Sequence, residues 1–239
     1  MFENILRKSS LFLLLLVAGS LLIIGGCQRK KASLSDREAA LPGVNKVVIV
    51  GFRAAMYEGD KPYEVRDPSS GTIIIAAPVS SGVVRKMTDT LFERMKADKK
   101  YELVSPGQAK GVFSSIVSSD KDVGMEYLRV LQKVGKTFRA DAALGGTIYR
   151  WREREGSAAG VSRPASVAFD LQLVRPADGA VLWRDKFDKT QRSLSENLFD
   201  AKTFVQGKGR WMTAGELAML GLRKMLAGMP GGQETAKTK

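Results

Sequence analysis

The chain has 239 residues, 44% hydrophobic and 26% charged, with a formal net charge of +13. That length supports one domain, or two small ones, with a real core, and the composition excludes wholesale disorder. One cysteine excludes an intramolecular disulfide framework, and the absence of histidine removes the commonest general base and metal ligand together.

The first ten residues carry Arg7 and Lys8 ahead of an apolar run over 11–24. A cationic start followed by about 14 apolar residues predicts a signal peptide over 1–26, too short for a comfortable transmembrane helix. The run ends in Ile24-Gly25-Gly26-Cys27. This tetrapeptide resembles the lipobox of bacterial lipoproteins. The resemblance implies removal of 1–26, acylation of Cys27 (palmitate included) and a membrane-anchored protein outside the cytoplasm. Gln28, where an aspartate would signal inner-membrane retention, implies the outer membrane, facing the periplasm. The alternative is a plain membrane anchor with an incidental cysteine.

The leader holds Glu3, Arg7 and Lys8, so the rest of the chain stays near +12. Outside the cytoplasm such charge points to anionic lipid headgroups, lipopolysaccharide or acidic polysaccharide, and away from nucleic acid. The bland alternative is a lysine-rich soluble surface. Residues 27–43 read as a tether, with Arg29, Lys30 and Lys31 placed to touch phosphates.

One domain is predicted over 44–228, with a disordered tail over 229–239. Residues 46–52 form a short apolar run that reads as a buried strand. Residues 53–78 are a long excursion with a candidate strand at 72–77. Ser80 or Ser81 caps a helix to about 98, with Val84, Met87, Leu91 and Met95 at helical spacing. A strand is expected at 101–104 and a short helix opened by Pro106 and running to 116. Polar residues 119–122 cap the next helix, to about 138, with Leu128, Leu131, Val134 and Phe138 on one side. Residues 142–154 form a strand in which Gly145-Gly146 admits a close neighbour. Residues 166–174 alternate cleanly and pair with 180–189 across Asp178-Gly179, a hairpin signal. Capping boxes stand at Ser193-Leu194-Ser195-Glu196 and Thr213-Ala214-Gly215-Glu216, the second opening a helix to about 227.

This order predicts an α/β (α+β) fold: a mixed sheet with helices mainly on one face. Ala140-Asp141-Ala142-Ala143-Leu144-Gly145-Gly146-Thr147-Ile148 resembles a phrase of the TolB amino-terminal domain type. Phe169 to Val174 with Asp178 to Trp183 resembles its hairpin. Outer-membrane lipoproteins share that domain: the curli-secretion pore subunit, activators of penicillin-binding proteins, and a ring-forming lipoprotein of polysaccharide export. The resemblance implies a non-catalytic envelope protein. It would serve assembly, secretion or regulation by binding a periplasmic or outer-membrane partner, with homo-oligomers open. No pair of alternating membrane hairpins is present, which speaks against a pore.

No catalytic, metal or cofactor residues are assigned, and no cofactor is implied. The alternative function is a cell-wall glycan hydrolase using paired carboxylates from Asp170, Asp185 and Glu196; against it stands plain solvation of charges on a strand face. Gly207-Lys208-Gly209 lacks the spacing of a phosphate loop. Arg210 and Trp211 mix cation and aromatic, which suits a partner surface; equally, Trp211 closes the core before the last helix. Arg150, Arg152 and Arg154 share one side of a strand and offer a second contact for an anionic surface, while Trp151 faces the other way.

Overall fold

In a computed structural model, the structure describes residues 41, 43–56, 59, 64–66, 73–119, 127–191 and 210–230, all within one unit, Leu34–Lys239. The signal peptide, Cys27, the basic triplet, the Ser193 box and Gly207-Lys208-Gly209 lie outside the described residues.

Nine strands and four helices follow in the order β1 Lys46–Ala54, β2 Glu64–Arg66, β3 Ile73–Ile75, α1 Ser81–Ala97, β4 Glu102–Val104, α2 Pro106–Ser119, α3 Tyr127–Thr137, β5 Ala142–Arg152, β6 Glu155–Gly156, β7 Val161–Arg163, β8 Ser166–Val174, β9 Val181–Thr190 and α4 Ala214–Gly228 among the described residues. Five of the strands form a mixed sheet in the order β4-β1-β5-β8-β9. β1 is parallel to both β4 and β5, which the intervening helices require, and β5, β8 and β9 are antiparallel. β2 pairs with β3 and β6 with β7 as small separate hairpins. The β6–β7 hairpin had no sequence signal.

The α/β class is as expected; the distribution of the helices is not. Two apolar clusters lie on opposite faces of the sheet. On one, Met87, Leu91 and Met95 of α1 and Leu217, Leu222 and Met225 of α4 meet Val47, Ile49, Leu144, Phe169, Leu171 and Leu173. On the other, Ala109 of α2 and Tyr127, Val130, Leu131 and Val134 of α3 meet Val48, Ala143 and Val174. Thus the helices divide two and two, correcting the one-faced arrangement. The reason is visible in β1 and β8, which bury both alternating sets of side chains. Each helix buries the apolar stripe that its 3.6-residue period supplies.

Ser80 accepts from the Val83 N–H at 3.4 Å and caps α1. Thr213 and Glu216 form the reciprocal box that opens α4. α4 ends at Gly228, and Met229, expected to open a disordered tail, is 3% exposed and belongs to the core. Gly145 and Gly146 do admit close neighbours. A Cβ on Gly145 would meet Tyr127 Oη at 2.5 Å, and one on Gly146 would meet the Asp170 carbonyl oxygen at 2.2 Å. The Ala140-Asp141 pair has a structural task as well. Oδ2 of Asp141 accepts the Asn45 and Lys46 N–H groups at 2.9 Å each, tying the entry of β1 to the entry of β5.

Candidate binding groove between two helices

The two helices on the first face do not close over the end of β5. They leave a recess of about 410 Å³ between Lys86 and Met87 of α1, Trp151 of β5, and the first turns of α4. Met87, Trp151, Met219 and Leu220 supply apolar lining; Lys86, Arg210 and Arg223 supply cations, and Glu216 one carboxylate. The size falls within the rough 300–1,000 Å³ of ligand sites.

Local chemistry holds this wall in place. Glu153 bridges the two sides: Oε1 accepts from Trp151 Nε1 at 3.3 Å and Oε2 from the Ala214 N–H at 3.0 Å. Gln191, 1% exposed, pins the segment before α4. Its Nε2 donates to the Arg210 carbonyl at 3.0 Å and its Oε1 accepts the Met212 N–H at 2.7 Å. The Trp211 N–H donates to the Ala158 carbonyl, and Arg154 donates to the Trp211 carbonyl at 3.1 Å. With its backbone so satisfied, the segment directs Arg210 to Glu216, at 2.5 Å. That side-chain bond to Arg210, with the Thr213 N–H, holds the Glu216 carboxyl below the usual carboxylate range.

Of the expected partner surface, Arg210 lines the groove and Trp211 does not; nor does Trp211 close the core. Met212, 4% exposed, fills that place. Trp151 faces away from Arg150, as expected, and packs against the first-face core. Glu153 and Gln191 carried no sequence signal. Each acts across tens of residues of chain, and nothing in local spacing reports such a contact.

The arginine trio does not form a free cationic face. Arg150 donates from Nε to Ser166 Oγ at 2.8 Å and forms an ion pair with Asp188; its side chain is 11% exposed. Arg154 lies beyond the strand end and is bound to the Trp211 carbonyl. Arg152 is exposed. Register explains the placement, since Arg150 stands opposite Ala168, and Ala168 is paired in turn with Asp188 of β9.

Two carboxylates of the hydrolase reading, Asp170 and Asp185, are separated. Asp170 pairs with Lys186 and Leu171 with Asp185, so Asp170 and Asp185 fall on opposite faces of the sheet. Asp170 is 4% exposed, not solvated. It accepts from the Thr147 N–H at 2.8 Å, Tyr149 Oη at 3.0 Å and Gln172 Nε2 at 2.9 Å. Burial pushes its carboxyl up, opposed by Gln172, the Thr147 N–H, Tyr149 and the charge of Arg184. Glu196 lies outside the described residues. Among the described residues, no group of three His, Cys, Asp or Glu side chains is placed to hold a metal, and no helix is long and apolar enough to cross a membrane.

No protein-family model matches this chain. No curated protein matches it either. Solved structures do resemble it. The LpoB C-terminal domain from Salmonella enterica has a TM-score of 0.37 at 15% identity, covering 63% of this chain and 87% of its own. Lipoprotein GNA1162 from Neisseria meningitidis has 0.39 at 14%, covering 74% and 92%. The PelC dodecamer from Paraburkholderia phytofirmans has 0.40 at 13%, covering 81% and 93%. The expected likeness to envelope lipoproteins is met among these structural neighbours.

Proposed function

We propose that this chain is a lipid-anchored protein of the bacterial envelope that acts by binding a partner protein and carries out no chemistry of its own. The observation that carries the reading is the groove between α1 and α4: apolar lining, cationic rim, and a wall held by Glu153 and Gln191. Such a recess suits recognition, whereas Asp170 and Asp185, two of the three carboxylates the hydrolase reading draws on, lie on opposite faces of the sheet. The anchor rests on Ile24-Gly25-Gly26-Cys27, which supports acylation of Cys27, and two or more acyl chains give stable attachment where one does not. Arg29, Lys30 and Lys31 then sit within a few residues of the headgroups. The outer membrane, facing the periplasm, is the site we assign, on the resemblance and on Gln28.

The decisive experiment is affinity capture of the full chain, after chemical cross-linking, from solubilised bacterial envelopes. A reproducible protein partner is expected, retained in Asp170→Asn and Asp185→Asn. Release of fragments from purified cell wall, lost in those same variants, would replace this reading by the hydrolase one. For the anchor, wild type should incorporate labelled palmitate and lose residues 1–26, and Cys27→Ala should do neither; unlabelled wild type, or unchanged processing in Cys27→Ala, would refute it.

A further inference from the structure

The charges around the groove are unequal. Arg210 is spent on Glu216, and Glu216 also accepts from the Thr213 N–H at 2.9 Å and the Thr213 hydroxyl at 3.3 Å. Lys86 and Arg223 are exposed, and among the described residues neither has an ion-pair partner. The recess therefore presents two uncompensated cations beside an accessible apolar lining of Trp151, Met219 and Leu220.

That combination selects among ligands. A neutral sugar chain would leave Lys86 and Arg223 without a counter-charge; an acidic one answers the cations but brings no apolar side chain for Trp151, Met219 and Leu220. A flat lipid surface meets cations on a convex face, whereas these flank a recess. A neutral apolar segment would fill the space and leave Lys86 and Arg223 unanswered. An acidic peptide answers both: carboxylates reach the two cations while a neighbouring apolar side chain enters the recess. Met219 adds to the fit, because an unbranched thioether adapts to different side chains.

Building on the partner-binding reading, we propose that the groove between α1 and α4 takes an acidic segment of the partner protein. An apolar residue of the segment lies against Trp151, and flanking Asp or Glu residues pair with Lys86 and Arg223. The apolar contact supplies holding strength; the rim charges supply orientation and exclude basic segments.

The test is a random short-peptide library displayed on phage and selected against the full chain in neutral detergent micelles. Two variants separate space from charge. Gly215→Leu fills the recess: a Cβ at Gly215 meets only Thr213 Oγ1, at 3.8 Å, so the backbone accommodates the change. Lys86→Glu with Arg223→Glu reverses the rim. Urea unfolding curves matching wild type establish that both fold.

Enriched peptides should place Asp or Glu next to Leu, Phe or Met. Their affinity should fall about tenfold or more in each variant. The rim-reversed protein should recover binding when Lys replaces the acidic residues of the peptide. No enrichment, enrichment of neutral or basic peptides, or affinity unchanged in both variants overturns the proposal. So does binding of phosphatidylglycerol vesicles that is lost in these variants and not displaced by acidic peptide. Cross-linked partner capture that survives in both variants sinks the groove assignment and leaves partner binding standing. A wild-type chain that captures no partner sinks partner binding itself.

Discussion

Asp141 offers the sharpest test of how this sheet is held together. One of its carboxylate oxygens accepts two backbone N–H groups, from Asn45 and Lys46, at 2.9 Å each. These stand where the chain enters β1, opposite the start of β5. In Asp141→Ala both donors lose that acceptor. Water replaces it readily at Asn45, whose bond is exposed, and poorly at Lys46, whose bond is part-buried. Hydrogen bonds to a charged group are worth roughly 1.5–3 kcal/mol, and screening reduces the exposed one to a few tenths, so the loss should be about 2 kcal/mol. Asp141→Asn keeps an oxygen in place and loses the charge, so about half that loss is expected. The bond from the Asp141 N–H to the Lys46 carbonyl, at 2.9 Å, survives both changes and keeps the register. The Lys46 and Asn45 N–H groups hold the Asp141 carboxyl below its ordinary value of 3.8. As pH falls, the unfolded chain takes up this proton first. The contribution of Asp141 is therefore complete above its unfolded pKa and lost as pH falls through the folded one. Urea unfolding followed by the fluorescence of Trp151, Trp183 and Trp211 measures the difference. At neutral pH wild type should exceed Asp141→Ala by about 2 kcal/mol, and the gap should close in acid below about pH 4. A gap under about 0.5 kcal/mol, or one that stays constant into acid, refutes the reasoning.

Asp170 works in the opposite sense. Burial raises its carboxyl, so the folded chain binds the proton more readily; its favourable share of stability is complete below the unfolded pKa and lost as pH rises through the folded value. Asp170→Asn should flatten that decline in a urea titration across pH, and an unchanged slope counts against the assignment. Gly146→Ala forces a Cβ to 2.2 Å from the Asp170 carbonyl oxygen and 2.8 Å from Phe52 Cε1, and should cost about 1–3 kcal/mol. Gly111→Ala, with nothing within 4 Å and in the middle of α2, should instead stabilise by about 0.5–1 kcal/mol; equal effects at the two glycines would refute the packing argument. Changing Arg29, Lys30 and Lys31 to Gln should remove roughly 3 kcal/mol of attraction to phosphatidylglycerol vesicles at low salt and almost none at high salt. Vesicle flotation of a chain beginning at Gln28, with and without the triplet, reads this, and a salt-independent result disproves it.

Much of the fold is legible in short-range signals. The alternation of 166–174 and the Asp178-Gly179 turn gave the β8–β9 hairpin, and Gly179 does adopt a positive φ of 79°. Ser80 and the Thr213–Glu216 pair marked the starts of α1 and α4 where they are found. Each of these is a contact among residues close in sequence, so composition and spacing suffice to show it. The opposed placement of Asp170 and Asp185 follows from strand period, once the register is known. Neither the double-sided burial of β8 nor the ion pair that takes Arg150 from solvent was legible, because a strand's period says which residues share a face and not what covers that face.

By itself, the sequence determines the hydrophobic stripe of each helix, the alternation of each strand, the turn at 178–179 and the candidate anchor at Cys27, since all depend on bond geometry and local order. Tertiary structure alone decides the rest. It sends α1 and α4 to one face and α2 and α3 to the other, buries Asp170, and lets Glu153 and Gln191 hold the groove wall from distant points in the chain. The physical reason is that an apolar stripe lowers its free energy equally against any apolar surface it can reach, so burial alone chooses no partner. The choice comes from strand order, crossover length and the need of each buried polar group for a hydrogen bond, which exist only once distant segments meet.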